Sequence, residues 1–234
     1  MIFYGEKKLK WIYQITLLSI NINVLIMSSS SENLSQVKEF GMEWVKTHIM
    51  ATEVTRTKPG SINYLLYGER PSVQSISIKF GHFGEEIAKE MIRKNPDLEL
   101  LTCGIQVIDE KHKQKKDIDL IWVNKNTKKI YIREAKGNIE LDTEKLPATF
   151  TKITNDLMPF VQEKYPDCEV NVGILNWSVY NRSELSKGLS HIKQCEKNGV
   201  HVDHWSDFCN LINFEWSQED YYGYMREFGK MIEG

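Results

Sequence analysis

The sequence of 234 residues contains little cysteine and little proline, and it has no strong excess of charge of either sign. Its four cysteines show no close pairs, which argues against a disulfide-stabilised secreted scaffold and predicts a reducing, cytoplasmic compartment. The formal net charge of −2 neither favours nor opposes a nucleic-acid partner, because such a partner requires local rather than overall basicity. The apolar content of 41% is ordinary for a globular domain.

The N-terminal stretch differs from the rest of the chain. Lysines precede an apolar stretch over residues 11–26, which polar residues interrupt and which is too short and too polar to predict a transmembrane helix. Met27 follows, and then four serines, a polar lead-in that often opens a soluble protein. We interpret residues 1–26 as an upstream extension, with a secretory signal as the alternative, and residues 27–234 as a single domain.

The remaining chain predicts an α/β fold. Apolar residues at helical spacing predict an N-terminal helical part within about residues 32–58, which Pro59-Gly60 ends. Residues 61–79 are predicted as a loop. Strands and helices then alternate, which predicts a mixed β-sheet flanked by helices on both faces. The later predicted elements are a strand at 170–177, a helix at 182–197, a short strand at 200–202 and helices at 205–212 and 218–232.

The most informative stretch is a predicted hairpin. Residues 116–122 and 129–136 are rich in β-branched and aromatic residues and are separated by a polar turn. Because side chains alternate along a strand, Glu134 and Lys136 share one face. Asp119, near the start of the first strand, can reach that face when the hairpin closes. Two carboxylates and an ammonium at one place predict a site for Mg²⁺ and a phosphodiester, since Mg²⁺ prefers hard oxygen ligands.

Predicted helices flank this hairpin in the sequence. Residues 80–92 have apolar residues at helical spacing, with Glu85 near the expected helix start and Pro96 beyond its end. Residues 137–145 lead into a helical segment that extends to Lys164, with Asp142 or Thr143 as its cap.

The order helix with glutamate, strand, Asp-bearing strand, Glu-x-Lys strand and helix resembles the core of the PD-(D/E)XK nuclease superfamily, over about residues 80–175. Residues 135–145 further resemble the region after the catalytic strand in type II restriction endonucleases. The resemblance implies a restriction-endonuclease-like fold and a Mg²⁺-dependent, site-specific cleavage of double-stranded DNA. The family's proline is absent, because Ile118 precedes Asp119. Asp117 is therefore a rival for the first carboxylate, and Asp119 is favoured because it adjoins the apolar run.

Residue roles follow from the same resemblance. It implies Asp119, Glu134 and Lys136 as the catalytic residues. It implies a metal site formed by Asp119, Glu134, the backbone carbonyl of Ala135 and the auxiliary Glu85. The predicted nucleic-acid contacts are Lys113, Lys115, Lys116, Asn138, Lys145 and Lys152, and a solvated lysine-rich loop is the alternative for the lysines before Asp119. A structure-specific repair or recombination nuclease and a non-catalytic DNA-binding member of the fold are the alternative functions.

Two further partners are expected. A single-site enzyme that cuts both strands of a duplex commonly acts as a two-fold dimer, so a homodimer is predicted. The resemblance also implies a companion DNA methyltransferase.

The C-terminal aromatics are spaced for core or dimer packing rather than for stacking on bases: Phe214, Trp216, Tyr221, Tyr222, Tyr224 and Phe228. Cys195, His201, His204 and Cys209 match no common zinc spacing, which favours core cysteines and surface histidines.

Overall fold

The computed structural model of the chain describes residues 30–51, 55–109, 111–137, 146–186 and 189–233. Contacts divide the chain into two units, Met1–Gln36 and Val37–Gly234. The interpretation of residues 1–26, the predicted contacts Asn138 and Lys145, and the caps Asp142 and Thr143 all lie outside the described residues. None of the helices within these ranges is long and apolar enough to cross a bilayer.

The N-terminal helical part is confirmed. Helix α1 covers residues 30–45 and continues as a π-helical turn, Lys46–Met50. Val37, Val45 and Ile49 are fully buried, as the apolar spacing predicts. The helical backbone ends at Met50, earlier than the predicted end near residue 58.

The prediction of a loop over residues 61–79 is wrong. A short helix, α2, covers Ile62–Tyr67, and a long helix, α3, covers Val73–Lys94. Pro71 blocks an earlier start of α3, because proline disfavours the helical conformation of the residue before it. Glu85 therefore lies in the middle of a 22-residue helix, not near its start.

The central element is a five-stranded sheet with strand order β1-β4-β5-β6-β7. These strands are Leu98–Leu100 (β1), Leu120–Asn124 (β4), Lys129–Lys136 (β5), Glu169–Asn176 (β6) and His201–His204 (β7). Neighbouring strands are antiparallel from β1 to β5 and parallel from β5 to β7. The sheet is therefore mixed, and its two central pairs are the predicted hairpin β4–β5 and the pair β5–β6.

The predicted single strand over residues 116–122 is two strands. Gln114–Ile118 (β3) pairs with Gly104–Asp109 (β2) in a separate two-stranded sheet, whereas β4 begins at Leu120 and pairs with β5. Asp119 lies in the bend between them. The chain changes sheets at this residue, because β3 and β4 hydrogen-bond to different partners.

Helices cover both faces of the five-stranded sheet. Ile130 and Ile132 of β5 pack with Ile153 and Leu157, which belong to the helical segment over residues 146–164. On the opposite face, Trp122 stacks on Tyr131 and meets the edge of Phe208. The covering helices are Leu146–Thr151 (α4), a π-helical turn Lys152–Leu157, Met158–Lys164 (α5), Leu189–Lys197 (α6) and Trp205–Leu211 (α7). The flanked mixed sheet and the helical prediction to Lys164 are confirmed.

The C-terminal part agrees with prediction except at one helix. Helix α8 covers Gln218–Glu233, as expected, but the predicted helix over residues 182–197 is a 3₁₀ turn, Arg182–Glu184, followed by α6. Tyr221 and Tyr224 are buried within the chain, and so are the other large C-terminal aromatics except Tyr222. The region around Tyr221 is therefore core, and its two buried tyrosines offer no surface for a dimer.

Two glycines of α3 test this packing. A Cβ at Gly84 would fall against the indole ring of Trp177, whereas a Cβ at Gly81 would meet no atom within 4 Å. We expect Gly84→Ala to lower the free energy of unfolding by about 1–3 kcal/mol through overpacking. Gly81→Ala should preserve it or raise it by up to about 1 kcal/mol, because alanine is the better helix former. Urea denaturation measures both, and equal stabilities would contradict the contact between α3 and Trp177.

Candidate active site

Strand β5 presents two of the predicted site residues on one face. The ammonium of Lys136 donates a hydrogen bond to Glu134 Oε1 at 3.2 Å. The Glu134 side chain is only 8% exposed, whereas that of Lys136 is 25% exposed and can reach solvent or a ligand. The alternation of side chains along the strand therefore predicts this pair correctly.

Asp119 joins the pair through the backbone of β5. The Ala135 N–H donates to Asp119 Oδ2 at 2.8 Å, which fixes the carboxylate in the bend between β3 and β4. The Asp119 side chain is 11% exposed. A carboxylate held by a backbone donor keeps its orientation without its own helix or strand. Asp119 and Glu134 thus lie at one place, as the predicted hairpin requires.

Lys152 lies between the two carboxylates. Its ammonium donates to Glu134 Oε2 and lies 3.7 Å from Asp119 Oδ1. Lys152 is the first residue of the π-helical turn, whose neighbour Ile153 is anchored in the core. The sequence predicts Lys152 as a DNA contact. Its contact with the two carboxylates depends on the packing of a helical segment across the sheet, and the sequence alone did not reveal it. Single π-helical turns are frequent at functional sites.

Two acids and two ammoniums meet in this cluster. Burial, together with the charge of Glu134, raises the pKa of Asp119 to about 7, although Lys152 opposes the rise. Burial disfavours the charge on Lys152, but the carboxylates of Asp119 and Glu134 outweigh it and raise the pKa of Lys152. The acids are therefore poorly hydrated and depend on nearby cations for their charge.

Glu85 lies within electrostatic range of the cluster. Burial raises the pKa of Glu85, and the charges of Asp117 and Glu134 raise it further, while Lys89 lowers it. Glu85 Oε2 lies 3.9 Å from the ammonium of Lys89 on the same helix. The central part of α3 thus carries a third carboxylate within electrostatic range of Glu134, and its role as an auxiliary metal ligand stays a prediction.

The rival carboxylate Asp117 differs from Asp119 in its surroundings. Asp117 is exposed on β3, opposite Ile105 of β2. It influences Glu85 and Lys152 electrostatically. Only Asp119 combines burial, the backbone hydrogen bond from Ala135 and proximity to Lys152, so the geometry favours Asp119.

The predicted lysine contacts lie mainly on the β2–β3 hairpin. Lys113 occupies its turn with a φ of 51°, and Lys115 is exposed. Lys116 forms an ion pair with Asp156 at 2.6 Å. The hairpin leads directly into Asp119, which places an exposed basic segment next to the carboxylates in the chain.

Sequence reasoning missed Arg133 as a structural charge. Its side chain is only 2% exposed, and it donates to Asp203 Oδ2 at 2.6 Å and to Asn171 Oδ1 at 2.8 Å. The presence of a charged residue inside an apolar strand could have identified Arg133 as a buried, paired charge, because buried charges require partners. Arg133 lies on the face of β5 opposite Glu134, so it supports the strand rather than the site.

Other candidate metal sites would be groups of three or more ligating side chains. Within the described residues, no group of three or more histidine, cysteine, aspartate or glutamate side chains is placed to hold a metal ion. Cys195 and Cys209 are buried, as predicted, but His204 is also fully buried and is not the surface histidine that was expected. It ends β7, where it pairs with Asn176 of β6, and it is the N-cap residue of α7.

Comparison with known proteins finds no match: no protein-family model, no curated protein and no solved structure is significantly similar to this chain. The residues and geometry of the site carry the functional argument.

Lys152 provides a test of the cluster in the absence of metal. Lys152→Met removes the ammonium between two poorly exposed carboxylates, and we expect it to lower the free energy of unfolding by about 2–4 kcal/mol. The control Lys129→Met removes an ion pair whose acid, Glu169, is 69% exposed, and should lower the free energy of unfolding much less. Chemical denaturation without divalent cations measures both variants. A Lys152→Met protein as stable as the wild type would contradict the bridging role of this ammonium.

Proposed function

We propose that this chain is a Mg²⁺-dependent endonuclease that hydrolyses phosphodiester bonds of double-stranded DNA at a specific short sequence. The observation that carries the proposal is the meeting of Asp119 and Glu134 around one ammonium, with Lys136 beside them. Two oxygen-bearing acids and a partly exposed lysine suit a divalent cation and an anionic substrate.

The order of elements supports the proposal. Helix α3 with Glu85 is followed by β1, by β4 after Asp119, by β5 with Glu134 and Lys136, and then by the helical segment to Lys164. This is the order on which the resemblance to PD-(D/E)XK nucleases rests, with the β2–β3 hairpin inserted before Asp119. A restriction-endonuclease-like fold is therefore part of the proposal.

The donor set fits Mg²⁺. The carboxylate oxygens of Asp119 and Glu134 already bind a cation, the ammonium of Lys152. Mg²⁺ needs only one or two protein carboxylates, since it keeps several waters. Asp119, Glu134 and the backbone carbonyl of Ala135 would hold the ion, with Glu85 as an auxiliary acid. The bound cation would neutralise charge on the phosphoryl group and favour attack by water.

The other groups at the site have separate proposed roles in orienting water, aligning Asp119 and binding the DNA backbone. Lys136 is the most exposed member of the cluster and would orient the attacking water and stabilise negative charge on the phosphoryl oxygens. The Ala135 N–H keeps Asp119 aligned. The lysines of the β2–β3 hairpin would bind the DNA backbone, which positions the duplex without reading its sequence.

Cleavage of both strands would require two copies of the site, so we propose a homodimer. A companion methyltransferase would protect the host DNA.

Plasmid digestion with Mg²⁺ tests the proposal. Discrete fragments with uniform ends would support a site-specific enzyme, and the end sequences would reveal the recognition site. Cleavage confined to junction or flap substrates would favour a structure-specific nuclease instead. DNA binding without cleavage of any substrate would favour a non-catalytic member of the fold.

The carboxylates are tested by amide substitutions. Glu134→Gln and Asp119→Asn should abolish plasmid cleavage and the rise in melting temperature caused by Mg²⁺, because each removes an anionic ligand while preserving shape. Asp117→Asn is the matched control and should retain cleavage, since Asp117 is exposed and Asp119 is favoured by geometry. Wild-type cleavage by either of the first two variants, or loss confined to Asp117→Asn, would overturn the assignment.

Lys136 is tested separately. Lys136→Ala should lose most of the cleavage activity, by about a hundredfold or more, because it removes charge stabilisation at the phosphate. The increase in melting temperature on adding Mg²⁺ should persist, since an ammonium is not a metal ligand. Normal cleavage by Lys136→Ala at neutral pH would contradict the role of this lysine.

A further inference from the structure

An exposed apolar surface lies far from the core, on and beside α2. Ile62, Leu65, Leu66 and Tyr67 are 70%, 77%, 62% and 59% exposed, and Val73 at the start of α3 is 63% exposed. Soluble proteins rarely cluster exposed large apolar side chains in this way, and such clusters commonly mark an interaction site. We refer to residues 55–72, a segment that contains α2, as the 55–72 loop.

The 55–72 loop has a defined conformation, so this exposure is a property of an ordered segment. The Thr57 N–H donates to the Arg70 carbonyl at 2.9 Å, and the Arg70 N–H donates back to Thr57 Oγ1 at 3.0 Å. Thr57 Oγ1 also donates to the Gly68 carbonyl at 2.8 Å. Ser61 Oγ caps α2 by accepting from the Tyr64 N–H. These bonds close the loop at its base and leave α2 at its tip.

The charge around the apolar side chains is basic. The loop contains Arg56, Lys58 and Arg70 but only one acidic residue, Glu69. Glu69 lies 3.9 Å from Arg56, so that pair is neutral and Lys58 and Arg70 remain in excess. The guanidinium of Arg70 lies 4.0 Å from the centre of the Tyr67 ring, which sets a cation beside the apolar surface. The surface is complementary to an apolar partner with an anionic rim.

Helix α3 connects the loop to the carboxylate site. Val73 and Glu85 are twelve residues apart on one continuous helix, which corresponds to about 18 Å along its axis. This separation is about half of the ~34 Å helical repeat of DNA. A duplex of one helical turn is therefore long enough to extend over this separation.

We propose that the 55–72 loop is a DNA-binding wedge. Lys58 and Arg70 bind phosphates, while Leu65 and Leu66 insert from the minor groove between base pairs and partly unstack them. Apolar side chains act in this way in minor-groove binding proteins, where basic residues hold the backbone on either side. The inference rests on the proposed endonuclease function, because it takes duplex DNA as the partner.

A second copy of the chain is the less suitable occupant of this surface. A two-fold contact places the same patch of both subunits face to face. Two copies would bring Lys58 and Arg70 of each subunit into one interface, and like charges brought together destabilise an interface. A duplex offers both the apolar base faces and the anionic rim that the loop requires.

Binding of a fluorescent duplex of mixed sequence tests the proposal, with Ca²⁺ replacing Mg²⁺ so that the duplex stays intact. The double substitution Leu65→Ala/Leu66→Ala should weaken binding about tenfold or more without changing the salt dependence, because it removes only apolar contacts. Lys58→Gln should instead lower the salt slope by about 1. 2-Aminopurine placed at TA steps, which unstack readily, should brighten with the wild type and not with the double variant.

The matched control is Leu189→Ala, which removes an exposed leucine from α6 and should bind like the wild type. If the wild type binds the duplex and the double variant binds and unstacks it equally well, the wedge is wrong while the endonuclease proposal stands. If the wild type neither binds nor cuts any duplex, both proposals fail. A dimer that dissociates on the leucine substitutions, with DNA binding unchanged, would assign the surface to a second copy and overturn the wedge.

Discussion

Strand β5 carries ionic side chains into the sheet on both of its faces, and each of them requires a partner from another part of the chain. On one face, Arg133 is paired with Asp203 of β7 and Asn171 of β6. On the other, Glu134 is bound by Lys136 and Lys152. An unpaired charge at such a position would cost several kcal/mol. The packing of β6, β7 and the helical segment around β5 is therefore tied to charge compensation as well as to apolar burial.

The two faces use this compensation differently. Arg133 is almost fully enclosed, and its partners satisfy it within the sheet, so this pair is structural. Glu134 shares the ammonium of Lys152 with Asp119, and burial is the main cause of the raised pKa of Asp119. Lys136 is 25% exposed, so this cluster reaches the edge of solvent, whereas Arg133 on the opposite face is enclosed. The same strand thus carries both the framework and the candidate site.

The parts proposed to contact DNA lie outside the five-stranded sheet. The lysines before Asp119 belong to the β2–β3 hairpin, and the apolar wedge belongs to the 55–72 loop before α3. Each is joined directly to an element that bears a carboxylate, since the hairpin leads into Asp119 and α3 carries Glu85. In the proposed function, the sheet holds the acids and the attached segments would bind the duplex, so that cleavage and DNA binding would belong to separate parts of the chain. These segments can vary without disturbing the carboxylates.

The sequence alone determined the features that depend on near neighbours. Alternation along a strand placed Glu134 and Lys136 on one face, and apolar periodicity located most of the helices, although not α2 or the start of α3, and gave the mixed α/β class. The tertiary structure decided the rest. It alone divided the strand at Asp119, because β3 and β4 pair with different strands. It also brought Lys152 onto Glu134 across 18 residues and Asp203 onto Arg133 across 70, since such contacts arise only when distant segments pack together.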